Sequence, residues 1–169
     1  MIIRVSELPD EGLVFREAGR FPAAFTDPSW TLDDVELTLT RDGDDVLVHG
    51  RLDATVPQAC GRCLESFPAP VHANVDLRVS PRPASAENVE LAADDLDTDF
   101  YANDELDLDR LIENETTLAL PMKPLCRADC RGLCPVCGIN RNVAACQCQE
   151  RQPHPRLAVL KQWGTRQGR

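Results

Sequence analysis

Aromatic residues are scarce in this chain, with 5 Phe, 2 Trp and 1 Tyr among 169 residues, or 5%. Proteins that grip single-stranded nucleic acid by stacking need rows of aromatic rings, so this composition argues against that binding mode. Trp30 and Trp163 could stack on bases, although packing is the commoner use of so large a ring. The N-terminus, Met1 to Pro9, shows neither a long apolar run nor a small-residue cleavage site, so no signal peptide and no membrane-spanning helix is expected. The expected compartment is the reducing cytoplasm, where clustered thiols more often bind metal than form disulfides. Catalytic signatures are missing as well: no H-x-E near a C-x-x-C, no G-x-x-x-x-G-K-S/T, no G-x-G-x-x-G and no G-x-S-x-G. His49, His72 and His154 stand alone, and no carboxylate pair is marked as an acid and base. The expectation is a protein without enzymatic activity.

Cysteine, by contrast, is concentrated. Six of the 8 cysteines fall in one stretch, Cys126, Cys130, Cys134, Cys137, Cys146 and Cys148, and the other two form Cys60-Gly-Arg-Cys63 far upstream. Eight thiols make two sets of four, the number a structural zinc ion takes. Cys134-Pro-Val-Cys137-Gly138 has the form of a zinc knuckle: two intervening residues let both sulfurs reach one ion, and the glycine permits the turn. The preferred grouping is Cys134, Cys137, Cys146 and Cys148 in one site, because they are consecutive and close a short loop. Cys60 and Cys63 then join Cys126 and Cys130, stapling the upstream strands to the tail. An exchanged pairing stays open, since the C-x3-C and C-x-C spacings are less usual. Iron–sulfur ligation and a redox pair are the rival chemistries. Against the second, Pro68 and Pro70 prevent a long helix after Cys63 whose N-terminus would activate a thiol. Four thiolates around zinc leave no open coordination position, which again speaks against catalysis.

Charge is segregated along the chain. Residues 1–122 hold 9 Lys/Arg against 26 Asp/Glu, a balance of −17, while residues 123–169 hold 9 against 2, a balance of +7. The basic third is also the cysteine-rich third, which suggests an acidic partner such as nucleic acid at that end. The plainer explanation is that these cations offset the thiolates or the protein's own acidic surface.

The first eighty residues read as strands. Val35–Arg41 alternates apolar and polar positions, Arg41-Asp-Gly-Asp-Asp45 supplies turn chemistry, and Val46–Val56 returns as a hairpin partner ended by Pro57 and the C-x-x-C. Val71–Val79 alternates again, placing Val71, Ala73, Val75, Leu77 and Val79 on one face, and shorter strands are expected near Ile2–Val5 and Leu13–Phe15. Pro81 breaks the sheet. Residues 87–109 carry 10 carboxylates and no basic side chain, and read as an acidic loop. Helical spacing over 106–120 predicts a core helix ended by Pro121, with Leu118 on its apolar face and Glu115 as the awkward residue there. A last short helix is expected over 155–163. The fold class is therefore α+β: a small antiparallel, partly barrel-like sheet with a packed helix (residues 1–122), followed by a cysteine-rich, zinc-binding basic tail (123–169).

Five blocks in this order carry a resemblance: Cys60-Gly-Arg-Cys63-Leu-Glu, Leu118-Ala-Leu-Pro-Met-Lys-Pro-Leu-Cys126, Cys130-Arg-Gly-Leu-Cys-Pro-Val-Cys-Gly-Ile-Asn140, Cys146-Gln-Cys148 and Pro155-Arg-Leu-Ala-Val-Leu-Lys161. Together they resemble the YceD family, large ribosomal RNA subunit accumulation proteins of bacteria and plastids. The resemblance implies a non-enzymatic role in synthesis, processing or stability of large-subunit (23S) ribosomal RNA, and it carries over no established binding residues. The residues themselves nominate two zinc ions in the eight cysteines. Phosphate contacts are expected from Lys123, Arg127, Arg131, Arg141, Arg151, Arg156 and Lys161, which would position backbone without reading bases. Expected partners are large-subunit ribosomal RNA or a pre-ribosomal particle. An alternative is a protein-binding module whose acidic part holds a basic ribosomal protein, and a more distant one is a thiol redox protein.

Overall fold

The computed structural model describes residues 1–82 and 98–149. In chain order, β1 (Ile2–Arg4) and β2 (Leu13–Phe15) are short, and β3 (Thr31–Asp42), β4 (Asp45–Ala59) and β5 (Ser66–Pro81) are long. Then β6 (Thr98–Tyr101) and β7 (Glu105–Asp107) lead into α1 (Leu108–Leu118). The class is α+β. Five strands form one sheet in the order β2-β3-β4-β5-β6, while β1 and β7 form a separate antiparallel pair. Among the described residues no helix is long and apolar enough to cross a membrane.

The long strands form because their apolar residues recur at period two. Val35, Leu37 and Leu39 of β3, Val46, Val48 and Leu52 of β4, and Ala73, Val75 and Val79 of β5 are all buried on one face. The register brings these residues side by side, with Val35 opposite Leu52, Leu39 opposite Val48, and Val46 opposite Val79. The hairpin between β3 and β4 closes at Asp42 and Asp45 around Gly43 and Asp44. The opposite face is polar and laced with exposed pairs, including His49 Nδ1 with Asp76 at 2.9 Å and His72 Nδ1 with Asp53 at 2.6 Å. Both imidazoles are therefore ordinary sheet residues. Trp30 packs on Phe25 with ring centroids 5.4 Å apart. Trp163 and the expected 155–163 helix lie outside the described residues.

α1 lies across the sheet's apolar face, burying Leu108, Leu111 and Ile112 in the same core as Val35 and Val75. Asp107 caps it, its side chain accepting from the backbone N–H of Asp109 at 3.1 Å and of Arg110 at 3.4 Å. The N-terminal amine of Met1 pairs with Asp109 at the same end, where anionic side chains suit the helix dipole.

Five expectations need correction. The sheet is open, not barrel-like, because its outer strands β2 and β6 are only 3 and 4 residues long and do not meet. It is also not wholly antiparallel, since β6 pairs parallel to β5. The acidic stretch is not all loop: its end, the part among the described residues, supplies β6 and β7, where Asp99, Glu105 and Asp107 are exposed residues while Leu106 is buried; residues 87–97 lie outside the description. The helix is shorter than 106–120, and Leu118 is 79% exposed because the last turn runs beyond the sheet it packs on. Finally, Pro57 does not end β4. It sits opposite Pro68, two positions from the Thr55–Pro70 pair, so all three prolines fall in one alternate set of the ladder and the hydrogen bonds can use the other set.

These pairings leave one consequential feature. β3 pairs with β4 only as far as Thr55, and β6 pairs only with Arg78–Pro81. Beyond them Val56–Ala59 and Ser66–Ala69 continue as a two-stranded ribbon carrying Cys60 and Cys63 at its tip.

Ile112→Ala removes a fully buried side chain at the contact of helix and sheet, and should cost about 2–5 kcal/mol in urea unfolding. Burial, and secondarily the charge of Asp99, push the Glu115 carboxyl upward. The folded protein therefore binds that proton more tightly than the unfolded chain, and its relative stability falls as pH rises through the carboxylate range. Glu115→Gln should raise the melting temperature slightly at pH 7, with the difference closing below about pH 4.

Candidate metal centres

The turn between β4 and β5 is built by its own backbone. Cys60 N–H donates to Glu65 O at 2.9 Å, and Leu64 N–H donates to Cys60 O at 2.9 Å. That folds Cys60-Gly-Arg-Cys63 so tightly that both cysteines face inward, Cys60 at 0% and Cys63 at 3% exposure. The segment after α1 comes back along the ribbon and docks on this turn. Gly61 N–H donates to Pro124 O at 2.8 Å, and Leu133 N–H to Arg62 O at 2.9 Å. The Arg62 guanidinium donates to Cys130 O at 2.9 Å. Gly132, at φ +68°, is the close approach: a Cβ there would lie 2.9 Å from the Arg62 carbonyl oxygen.

Docking gathers Cys60, Cys63, Cys126 and Cys130 with all four sulfurs within 4.8 Å of one another. Cys60 Sγ lies 3.8 Å from Cys130 Sγ, and Cys63 Sγ lies 3.7 Å from Cys126 Sγ. A disulfide would bring sulfurs to about 2.05 Å. Four sulfurs at about 2.3 Å from one central ion stand about 3.8 Å apart along the tetrahedron's edges. The donor set and spacing therefore fit a single tetrahedral ion.

The second quartet, Cys134, Cys137, Cys146 and Cys148, is equally compact, again within 4.8 Å. Cys134 N–H donates to Ile139 O at 2.8 Å and Gly138 N–H donates to Cys134 O at 2.9 Å, a knuckle closed by Gly138 at φ +73°. A tight turn follows, with Val143 and Ala144 N–H both donating to Asn140 O at 3.1 Å, and it returns the chain to Cys146 and Cys148. The two quartets differ in cover. Cys60, Cys63 and Cys130 are buried, whereas Cys137 and Cys148 are exposed.

Within each quartet the sulfurs are electrostatically unequal. Backbone N–H groups of Cys126 and Cys63 aimed at its sulfur lower Cys60 to about 6. Those of Cys137 and Val136 lower Cys134 to about 6. Burial and the neighbouring sulfurs of Cys63, Cys60 and Cys130 push Cys126 up to about 12, and the Cys137 sulfur, followed by burial, pushes Cys148 up to about 12. Crowded thiols cannot all ionise without a counter-charge, and a soft dication supplies one. With four sulfur ligands such an ion would have a closed shell.

The cations predicted to contact phosphate lie on the same segment. Lys123, Arg127, Arg131 and Arg141 are all exposed. Arg127 Nε is shared with Asp129 at 3.5 Å. Arg131 and Arg141 line one concavity of about 500 Å³ with Ala144, Ala145 and Cys146. Arg151, Arg156 and Lys161 lie outside the described residues.

Sequence reasoning missed the residues that fasten the two quartets together. Asn142 Oδ1 accepts from Arg131 N–H at 2.8 Å while its Nδ2 donates to Cys130 Sγ at 3.3 Å. Asn140 Nδ2 donates to Glu65 Oε1 at 3.3 Å, joining the second loop to the ribbon. The available signal was Asn140-Arg-Asn142 between cysteine pairs, because asparagine favours turns through side chain to backbone bonds.

Comparison with known proteins adds an independent finding. The family described as large ribosomal RNA subunit accumulation protein YceD matches residues 48–163. An uncharacterized protein of Mycobacterium tuberculosis is 32% identical over 109 residues, covering 63% of this chain and 50% of its own. An uncharacterized protein of Mycobacterium leprae is 30% identical over 126 residues, covering 73% and 53%. The chloroplastic large ribosomal RNA subunit accumulation protein YCED homolog 1 of Zea mays is 27% identical over 142 residues, covering 69% and 48%. The chain thus spans about half the length of the curated relatives it matches. No solved structure matches it.

Replacing Cys60 and Cys63 together by Ser should remove one of two bound metal equivalents by elemental analysis of the purified protein. Replacing Cys134 and Cys137 should remove the other. Loss of both ions, or of neither, from either variant would contradict two independent quartets.

Proposed function

The chain belongs to the YceD family of large ribosomal RNA subunit accumulation proteins, and from that premise we propose that it is a non-enzymatic, cytoplasmic accessory factor for 23S ribosomal RNA. It acts in the synthesis, processing or stability of that RNA within pre-ribosomal particles. Two zinc ions, one in each cysteine quartet, order a basic segment that rests on RNA phosphates.

The observation that carries this reading is the spacing of the sulfurs, 3.7 and 3.8 Å in the first quartet, on a segment that also presents Arg131 and Arg141. Zinc suits four thiolates at that spacing, whereas a multi-iron cluster would place them on separate metals and further apart. Zinc's contribution is conformational. It holds Cys126–Cys148 against the ribbon, so that less chain entropy is lost when RNA binds. Each loaded quartet would carry a net charge of about −2. The arginines therefore serve two purposes, offsetting thiolate charge and presenting outward N–H donors to phosphate. Their number and the scarcity of aromatic rings favour contact with the backbone over reading of bases.

Arg131→Ala with Arg141→Ala should weaken binding to a 23S ribosomal RNA fragment and make the slope of log affinity against log salt shallower by about 1.5. Arg127→Ala, whose guanidinium is already shared with Asp129, should change that slope less. A double variant with the wild-type slope would overturn RNA contact at these residues.

A further inference from the structure

We propose that the groove between β5, β6 and α1 is a docking site for a basic, amphipathic segment of a partner protein. This surface is separate from the cysteine segment, and the inference does not rest on the RNA reading.

The groove is a concavity of about 500 Å³. Leu77, Leu111 and Leu118 give it an apolar wall beside Asp99 and Glu115, while Asp76 at its border turns its carboxylate to His49 on the other face of the sheet. Leu118 stands 79% exposed on the last turn of α1, at a position where the helix's apolar stripe outruns the core beneath it. β6 is the edge strand of the sheet, paired on one side only, with β5, among the described residues. A leucine offered beside two carboxylates fits one kind of guest, a side chain with an apolar stem and a cationic head, or a run alternating the two.

Charge narrows the choice of guest. Among the described residues Asp76 pairs with His49 at 2.9 Å, and none of the ion pairs includes Asp99 or Glu115. Burial, and secondarily the charge of Asp99, hold the Glu115 carboxyl above its ordinary range. RNA would be repelled here. A chelated metal ion is also a poor fit, because the groups of acidic, histidine or cysteine side chains close enough to share an ion among the described residues are the two cysteine quartets. A polypeptide segment rich in Lys or Arg, with apolar residues between them, satisfies both the wall and the rim.

The test uses the full, metal-loaded chain and a fluorescent peptide of about 16 residues with Lys and Leu at helical spacing. Wild-type protein should bind it saturably, and Asp99→Asn with Glu115→Gln should weaken binding about tenfold. Leu118→Ser, at an exposed position that should leave the melting temperature unchanged, should weaken it by a similar factor. Neither variant should alter binding of the 23S ribosomal RNA fragment, and Arg131→Ala with Arg141→Ala should not alter binding of the peptide. A photo-crosslinker at position 118 should capture the peptide. Equal binding by wild type and the groove variants would overturn the proposal, since attraction would then come from the acidic surface as a whole. Crosslinking to residues 150–169 of the same chain, or to a second copy, with the peptide unable to displace it, would overturn it as well.

Discussion

The tip of the β4–β5 ribbon is the point on which the arrangement turns. Beyond Thr55 of β4 and before Pro70 of β5 the two strands have only each other as ladder partners, and a two-stranded ribbon is marginal on its own in water. Its tip is held by the returning segment instead, through backbone bonds from Gly61 to Pro124 and from Leu133 to Arg62, and through four sulfurs drawn into one cluster. Only a few apolar side chains, Phe67 and Leu125 among them, accompany those sulfurs. In place of a second hydrophobic core, this end of the described chain has crowded thiols, and on the proposed reading a dication held by them would couple metal binding to the order of Cys126–Cys148.

The same constraint separates two surfaces of opposite character. The sheet and helix form an ordinary apolar core beneath an acidic exterior. The cysteine segment carries little apolar mass, and its exposed arginines stand on a frame set by sulfur. Placing unlike charges at opposite ends of one chain lets the protein approach an anionic polymer with one end while the other repels it. On the proposed reading one end meets RNA and the groove beside α1 meets a basic polypeptide, which is the pair of components a ribosomal precursor contains.

Much of this was legible in the residues. Alternation at period two located β3, β4 and β5, because one-sided burial imposes that pattern whatever the neighbouring strands are. The helix was visible from the spacing of Leu108, Leu111 and Ile112, though not its end, since Leu118 continues the stripe past the sheet that would bury it. The pairing of Cys60 and Cys63 with Cys126 and Cys130 could be argued from consecutive order among the remaining four. The prolines misled, because Pro57 reads locally as a strand terminator and only the register shows that its missing N–H falls where none is needed. The barrel-like closure failed for a related reason: strand content was readable, but the shortness of β2 and β6 was not.

By itself the order of residues determined which side chains are apolar at which period, that eight thiols come in two sets of four, and that charge divides near residue 122. Those properties are local, and each follows from the chemistry of neighbours along the chain. Only the tertiary structure decided that the sheet stays open, that β6 joins it in parallel, and that Asn142 bridges Arg131 and Cys130. It also decided that Glu115 and Asp99 face one groove. These depend on which distant segments meet, and that is set by how one shared core is packed, not by any residue's own preference.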